Sequence, residues 1–186
     1  MSTQSGLPAG VRRSPLNGHR DLRGGLTELF RNEWDTGITP IQWTLASSAA
    51  NVLRGVHVHV LHTDYLIFLN GRSAIGLADL RPDSPTAGLA CLLELNGQSL
   101  EALTIPPGVA HGFYMHEASQ YLVGVDRYYN PADEMGCQWS DPALGITWPV
   151  DSPIVSERDA TAPSLSRLQQ QLSEHPAVQA SEVSED

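Results

Sequence analysis

The sequence contains no lysine: all 11 of its basic residues are arginine. That omission excludes a lysine Schiff base and a P-loop lysine, and leaves anion binding to arginine, histidine and backbone N–H groups. Cysteine is nearly absent too. Cys91 and Cys137 are too far apart for a Cys-x-x-Cys pair, which argues against a zinc ribbon or a disulfide scaffold and fits a reducing compartment. No run approaches the roughly 18 apolar residues of a membrane span. The opening residues lack the apolar core of a signal peptide, so a cytoplasmic protein with no membrane partner is expected. Against the 11 arginines stand 21 acids, for a formal charge of -10, with no basic cluster to oppose them, and nucleic acid is not an expected partner. At 41% hydrophobic and 17% charged, the 186 residues have the composition of one packed domain.

Helical periodicity is also scarce. Short runs rich in Val, Ile, Leu and Tyr recur instead at 52–61, 65–69, 73–80, 88–95, 98–105, 111–115 and 120–127, separated by turn residues. Strands at this spacing without intervening helices predict an all-β protein, and a jelly roll is the natural closed form. Asn70-Gly71 and Asn96-Gly97 each lie between two such runs and are expected to close hairpins, because that dipeptide readily supplies positive φ angles. Residues 1–18 read as a loose arm, Ser164 opens a short C-terminal helix, and 173–186 read as an acidic disordered tail, leaving the domain over 19–172. The arm and the unpaired edges of a small barrel suggest strand exchange in a homodimer.

Three segments place polar groups at regular positions within strand-like sequence. In Arg54-Gly55-Val56-His57-Val58-His59, the two-residue period puts His57 and His59 on one face, opposite Val56 and Val58. Pro106-Pro107-Gly108-Val109-Ala110-His111 delivers a third histidine at the start of a strand, and Ser156-Glu157-Arg158-Asp159 adds a carboxylate further on. One strand histidine is most often structural. Three near the predicted mouth of a barrel point to a binding site there, since such mouths are common ligand sites.

Seven pieces then occur in order over about 21–165: Asp21-Leu22-Arg23-Gly24 with Glu28-Leu29-Phe30; Val52-Leu53-Arg54-Gly55-Val56-His57; Asp79-Leu80-Arg81 with Ser84-Pro85-Thr86; Ile105 through Phe113; Tyr129-Asn130-Pro131; Trp139-Ser140-Asp141-Pro142; and Ser156 through Asp159. Together they resemble the dTDP-4-dehydrorhamnose 3,5-epimerase family. The resemblance implies a cupin-type jelly roll, usually a homodimer, that epimerises a nucleotide-linked 4-keto-6-deoxy sugar by proton abstraction beside the carbonyl, with no cofactor. It makes His57 the general base and Asp159 the carboxylate that orients it and stabilises its imidazolium. It places Arg54, His111, Glu134 and Arg158 against the substrate, and Arg23, Glu28 and Gln42 around the nucleotide and its phosphates, where the paired donors of arginine suit diphosphate oxygens. Judged without the family pattern, Arg23 and Arg54 read equally well as members of ion pairs.

Four positions depart from that pattern. The tyrosine that would return a proton to the opposite face falls at Val123, which cannot donate; Tyr121, two residues earlier on the same strand face, is the remaining candidate acid. A family lysine falls at Asp64, a family glutamine at His59, and an asparagine that follows Gln42 at Thr44. His57-x-His59, Asp64, Gly71 and Pro106-x-Gly108-x-x-His111 also resemble the two motifs of metal-binding cupins, with Asp in place of Glu. On that reading His57, His59, Asp64 and His111 would hold Fe(II), Mn(II), Ni(II) or Zn(II). The structural alternative pairs His59 with Asp64 and leaves His62 in a turn. Three functions therefore stand: a nucleotide-sugar epimerase or isomerase, a metal-dependent cupin enzyme with another small substrate, and a silent sugar-nucleotide binding module.

Overall fold

A computed structural model describes residues 6–176; most of the expected acidic tail, 177–186, lies outside the described residues. In chain order the strands are β1 (Arg12–Pro15), β2 (Gly18–Asp21), β3 (Gly24–Thr27), β4 (Gln42–Ser48), β5 (Leu53–Val58), β6 (Asp64–Asn70), β7 (Arg72–Asp79), β8 (Ala90–Asn96), β9 (Glu101–Ile105), β10 (Val109–Met115), β11 (Ser119–Val125) and β12 (Met135–Gly136). Two helices follow, α1 (Glu157–Ala160) and α2 (Leu165–Ser173). Two five-stranded sheets form in the orders β1-β9-β6-β11-β4 and β12-β5-β10-β7-β8, while β2 and β3 pair by themselves. The expected all-β jelly roll with a short C-terminal helix is the fold the chain adopts. None of the helices among the described residues is long and apolar enough to cross a membrane.

The two-residue period explains the layering. In β6, Leu66 and Phe68 pack with Ile75, Leu77, Leu93, Leu103 and Met115 between the sheets, whereas Tyr65 and Ile67 belong to a separate cluster covered by Leu16, Leu29, Phe30 and Ile38. The second sheet is covered on its outer side by the C-terminal segment, where Leu165, Leu168 and Trp148 pack with Val56, Val58 and Ala110. Both sheets thus have an outer layer, and the interior is free to become polar at one end.

Neither Asn-Gly step closes a hairpin. β6 and β7 lie in different sheets, as do β8 and β9, so Asn70-Gly71 and Asn96-Gly97 carry the chain from one sheet to the other. A type I′ turn needs positive φ at both central residues, and of these four only Gly71 has it, at 74°. The two crossings stack on each other at one end of the barrel, with the Gly97 N–H donating to the Gly71 carbonyl at 3.0 Å.

The N-terminal segment is also not a loose arm throughout. β1 adds to the first sheet beside β9, with Arg12 opposite Thr104 and Pro15 opposite Glu101, and Leu7 and Val11 pack on the core. A buried carboxylate, that of Asp79, organises the attachment. It accepts from Arg81 Nε and Nη2 at 2.8 Å each and from the Ser84 and Thr86 hydroxyls at 2.6 Å each. Arg81 also donates to the Ala9 carbonyl at 2.6 Å, and Thr86 Oγ1 accepts from the Ala9 N–H at 2.7 Å. Composition alone hides such a bond, because its partners lie more than seventy residues away.

Burial opposes the charge on Asp79, but the hydrogen bonds from Arg81, Ser84 and Thr86 outweigh it and hold the pKa at about 2, below the ordinary 3.8. A carboxylate depressed in this way contributes stability above its unfolded pKa and loses it as the pH falls through the folded value. Urea denaturation between about pH 4 and about pH 2 should therefore show stability falling with acid. Asp79→Asn should lower the plateau above that window and flatten the fall within it; an unchanged slope in the variant would contradict the assignment.

Candidate active site

Strands β4, β5, β6, β10 and β11 turn alternate side chains inward, and at the end of the barrel away from the Asn-Gly crossings these rows become polar. Gln42 and Thr44, His57 and His59, Asp64 and Leu66, His111 and Phe113, and Val123 and Val125 wall a cavity of about 220 Å³, joined by His62, Arg127, Tyr129 and Glu134.

His57 stands opposite His111 in the β5–β10 ladder. Gly55 permits that approach: its φ is 119°, and a Cβ there would fall 2.8 Å from the Gly112 Cα and 2.9 Å from the His111 carbonyl oxygen. Asp159 arrives from α1, whose N-cap Ser156 accepts from the Asp159 N–H at 3.1 Å. One carboxylate oxygen, Oδ1, lies 2.8 Å from His57 Nε2, and Oδ2 accepts from the Gly55 N–H at 3.3 Å. Burial favours the neutral form of Asp159, but His57, the Gly55 N–H and the Ser156 hydroxyl outweigh it and keep its pKa below the ordinary carboxylate value. With Asp159 ionised, His57 Nε2 carries the proton it donates, and Nδ1 is the nitrogen left to accept one. Such a pair can serve as a base whose ring orientation and tautomer are fixed.

A second group lines the same cavity. Asp64 faces three imidazoles, with His111 Nε2 3.5 Å and His59 Nε2 3.7 Å from its Oδ2, and His62 Nε2 3.6 Å from its Oδ1. The His59 and His62 rings stack at 4.0 Å. Behind them Asp133, 1% exposed, accepts from the Val60 N–H at 2.7 Å, the Leu61 N–H at 3.2 Å and His62 Nδ1 at 2.8 Å. Burial pushes His111 down to about 4 against the pull of Asp64, and it lowers His59 in the same way. His62 is raised, because burial is outweighed by Asp64 and Asp133 together. Asp64 stays below its ordinary value because the three histidines outweigh its burial.

The cavity thus gathers His57, His111, Gln42 and Glu134 from the residues singled out in the sequence, and Asp159 joins through His57. Arg158 reaches it indirectly, donating to the Glu134 carbonyl at 2.9 Å. Arg54 does not line it: Nε donates to Ser48 Oγ at 2.8 Å and Nη2 to the Ser47 carbonyl at 3.2 Å. Nor does Tyr121, which is 3% exposed in the hydrophobic core and stacked on Phe68 at 4.9 Å, so the substitute acid expected there is a packing residue in this structure. Arg23 and Glu28 lie elsewhere, paired with Asp21 and Arg31 at and beyond the β2–β3 hairpin. The metal set His57, His59, Asp64 and His111 is divided, because His57 is committed to Asp159 while His62 joins the group around Asp64. Arg127 and Tyr129 were not singled out as site residues, although Tyr129 opens one of the seven pieces and both continue the inward alternation of Val123 and Val125 beyond β11.

The family model for dTDP-4-dehydrorhamnose 3,5-epimerase matches residues 9–167. Curated proteins of that name from Neisseria gonorrhoeae and Salmonella typhimurium are 34% identical over 150 residues and 33% identical over 145, covering 75% and 70% of this chain. The alignments take in 45% of the Neisseria protein, so the chain spans less than half of that relative's length, and 74% of the Salmonella protein. Among solved structures, ChmJ, a 3'-monoepimerase from Streptomyces bikiniensis crystallised with dTDP-quinovose, matches with a TM-score of 0.84 at 27% identity, over 98% of this chain and 96% of its own. Fold, site and likeness define a jelly-roll protein of the isomerase class. The chain belongs to the dTDP-4-dehydrorhamnose 3,5-epimerase family.

Asp133 holds the imidazole group in place, so its removal should be felt as stability. Asp133→Ala strands two backbone N–H donors and His62 Nδ1, and should cost about 2–4 kcal/mol in urea denaturation. Asp133→Asn keeps an acceptor oxygen for the backbone and should cost clearly less. Equal losses in the two variants would show that the hydrogen bonds are not the cause.

Proposed function

We propose that this chain isomerises a nucleotide-linked 4-keto-6-deoxy sugar by moving a proton on a carbon beside the carbonyl, with His57 as the base. The observation that carries the reading is the 2.8 Å contact between His57 Nε2 and Asp159 Oδ1 at the cavity wall. A C–H beside a ketone is acidic because its electron pair can delocalise onto oxygen. Nδ1 of His57 takes that proton, Asp159 stabilises the imidazolium, and donors in the cavity meet the oxygen as it gains charge. Arg127, Tyr129 and Thr44 carry such donors. The base step uses side chains alone and needs no cofactor.

Inversion also needs a proton returned to the opposite face, and Val123 occupies the wall position where the resemblance places a tyrosine. Without a donor there, inversion at any centre must draw its second proton from water or another cavity group, whereas exchange on the His57 face needs none. The likeness to a 3'-monoepimerase supports inversion at one centre over inversion at two.

The functional unit on this reading is a cytoplasmic homodimer. Arg23 and Glu28 lie outside their own chain's cavity, and Leu22 and Leu26, on the same hairpin, are 106% and 79% exposed. Seating that hairpin on a second copy would bury both leucines and bring the charged residues to a nucleotide there. The free thiols Cys91 and Cys137 suit a reducing compartment.

Incubation with dTDP-4-keto-6-deoxyglucose in D₂O should introduce deuterium beside the carbonyl, and His57→Asn should slow that exchange ~10²–10⁴-fold. Val123→Tyr should raise inversion relative to exchange. Undiminished exchange in His57→Asn removes His57 from the role. Sedimentation equilibrium should give twice the 20.2 kDa chain mass, and a single-chain mass at micromolar concentration would refute the dimer.

A further inference from the structure

His59, His62 and His111 all turn Nε2 towards Asp64 and secure Nδ1 to an acceptor behind. For His59 that acceptor is the Asp133 carbonyl and for His111 the Val109 carbonyl, each at 3.1 Å. A carbonyl oxygen can only accept, so Nδ1 carries the hydrogen in both rings, and Nε2 of the neutral ring presents a lone pair. Two lone pairs therefore face Asp64 Oδ2, at 3.7 and 3.5 Å, where like meets like unless positive charge lies between them. His62 brings a third Nε2 to 3.6 Å from Oδ1, with its Nδ1 held by the Asp133 carboxylate at 2.8 Å.

These separations are longer than the roughly 2.7–2.9 Å of a charge-assisted hydrogen bond. Donors 2.0–2.2 Å from a tetrahedral metal lie about 3.3–3.6 Å apart, and His59, His62 and Asp64 each offer one ligand atom, all within 4.8 Å of one another. An imidazole tied at its far nitrogen to a carbonyl or carboxylate is also how metal-ligating histidines are held.

We propose that His59, His62 and Asp64 bind a divalent transition metal, with Zn(II) the ion that best suits two imidazoles and one carboxylate with a position left open. Two neutral imidazoles and one carboxylate leave a single net positive charge on a divalent ion, and Asp133 and Glu134, the latter 3.7 Å from His59 Nδ1, lie beside the ligands to offset it. The set is not the one the motif spacing suggests: His57 stays with Asp159, His111 falls outside the group, and His62, from the turn after β5, joins His59 and Asp64. Binding is independent of the epimerase reading and needs no substrate to be seen.

Full-length protein stripped with EDTA and dialysed against Zn(II) or Co(II) should retain one ion per chain by elemental analysis, and the Co(II) form should show the visible bands of four- or five-coordinate cobalt. Zn(II) should raise the melting temperature, since an ion bound only by the folded state stabilises it. His59→Gln and His62→Gln should weaken Zn(II) binding at least ~100-fold, and Asp133→Asn ~10–100-fold. His57→Asn should retain the ion. Circular dichroism establishes that each variant is folded, and where one is not, the Co(II) spectrum of the unmutated protein decides. Folded unmutated protein that retains neither ion overturns the proposal, as does equal retention by a folded His59→Gln/His62→Gln double variant. Loss in His57→Asn with retention in His62→Gln would overturn the ligand set. Deuterium exchange is read separately, so failure of the base and failure of the metal site are distinguishable.

Discussion

Strands β5 and β10 run so close at Gly55 and Gly112 that a methyl group on Gly55 would fall 2.8 Å from the Gly112 Cα. That contact sets the mouth of the barrel. It stands His57 opposite His111 across one ladder, and the two-residue period then carries His59 and Phe113 along the same inward rows. It also leaves the Gly55 N–H to meet Asp159, so that the carboxylate fixing the base is itself fixed by main chain. On the other side of Gly112 lies Trp148, 3.2 Å from where a Cβ would sit, with its indole N–H donating to the Trp139 carbonyl at 3.0 Å. The C-terminal segment thus wedges the second sheet from outside while α1 supplies Asp159.

The cavity divides its chemistry between two neighbouring groups that touch different partners. His57 faces Asp159, whereas His59, His62 and His111 gather around Asp64 with Asp133 behind them. Carboxylates outnumber fixed cations there: among the described residues lining the cavity, Arg127 is the single arginine. In a chain without lysine, a diphosphate has little to hold it within one copy. The arginines of the β2–β3 hairpin, Arg20 and Arg23, are the obvious supply, which is why the dimer and the substrate belong to one reading.

Much of the barrel was readable because its strands alternate cleanly. β6, β7, β10 and β11 lie within a residue or two of the apolar runs that predict them, and the shared face of His57 and His59 follows from period two alone. β4 was not readable: its outward positions include Trp43 and Leu45, 42% and 60% exposed, so hydrophobicity marks the wrong side. The Asn-Gly steps misled because local turn chemistry says that a chain bends and not which sheet it enters. The site divides in the same way. The family pattern carries His57, His111 and Asp159 because each sits in a continuous motif. His62 and Asp133 are a turn residue and a residue of a short loop seventy positions apart, and only the fold makes them partners.

The crossings at Asn70-Gly71 and Asn96-Gly97 also bear on how the chain finds this structure. With β6 and β7 in different sheets, and β8 and β9 likewise, the strands joined by the Asn-Gly steps do not zip together, and among the described residues only β2 with β3 and β7 with β8 pair as sequence neighbours. β5 must wait for β10, with Leu53 opposite Tyr114, and β1 for β9, with Arg12 opposite Thr104. Each of those loops is closed before any pairing rewards it, which places the protein among the slow folders of high contact order. A nascent chain would emerge as far as β8 with β1, β4, β5 and β6 still awaiting every partner, and the base, the carboxylate and the imidazole group come together only after α1 has been made.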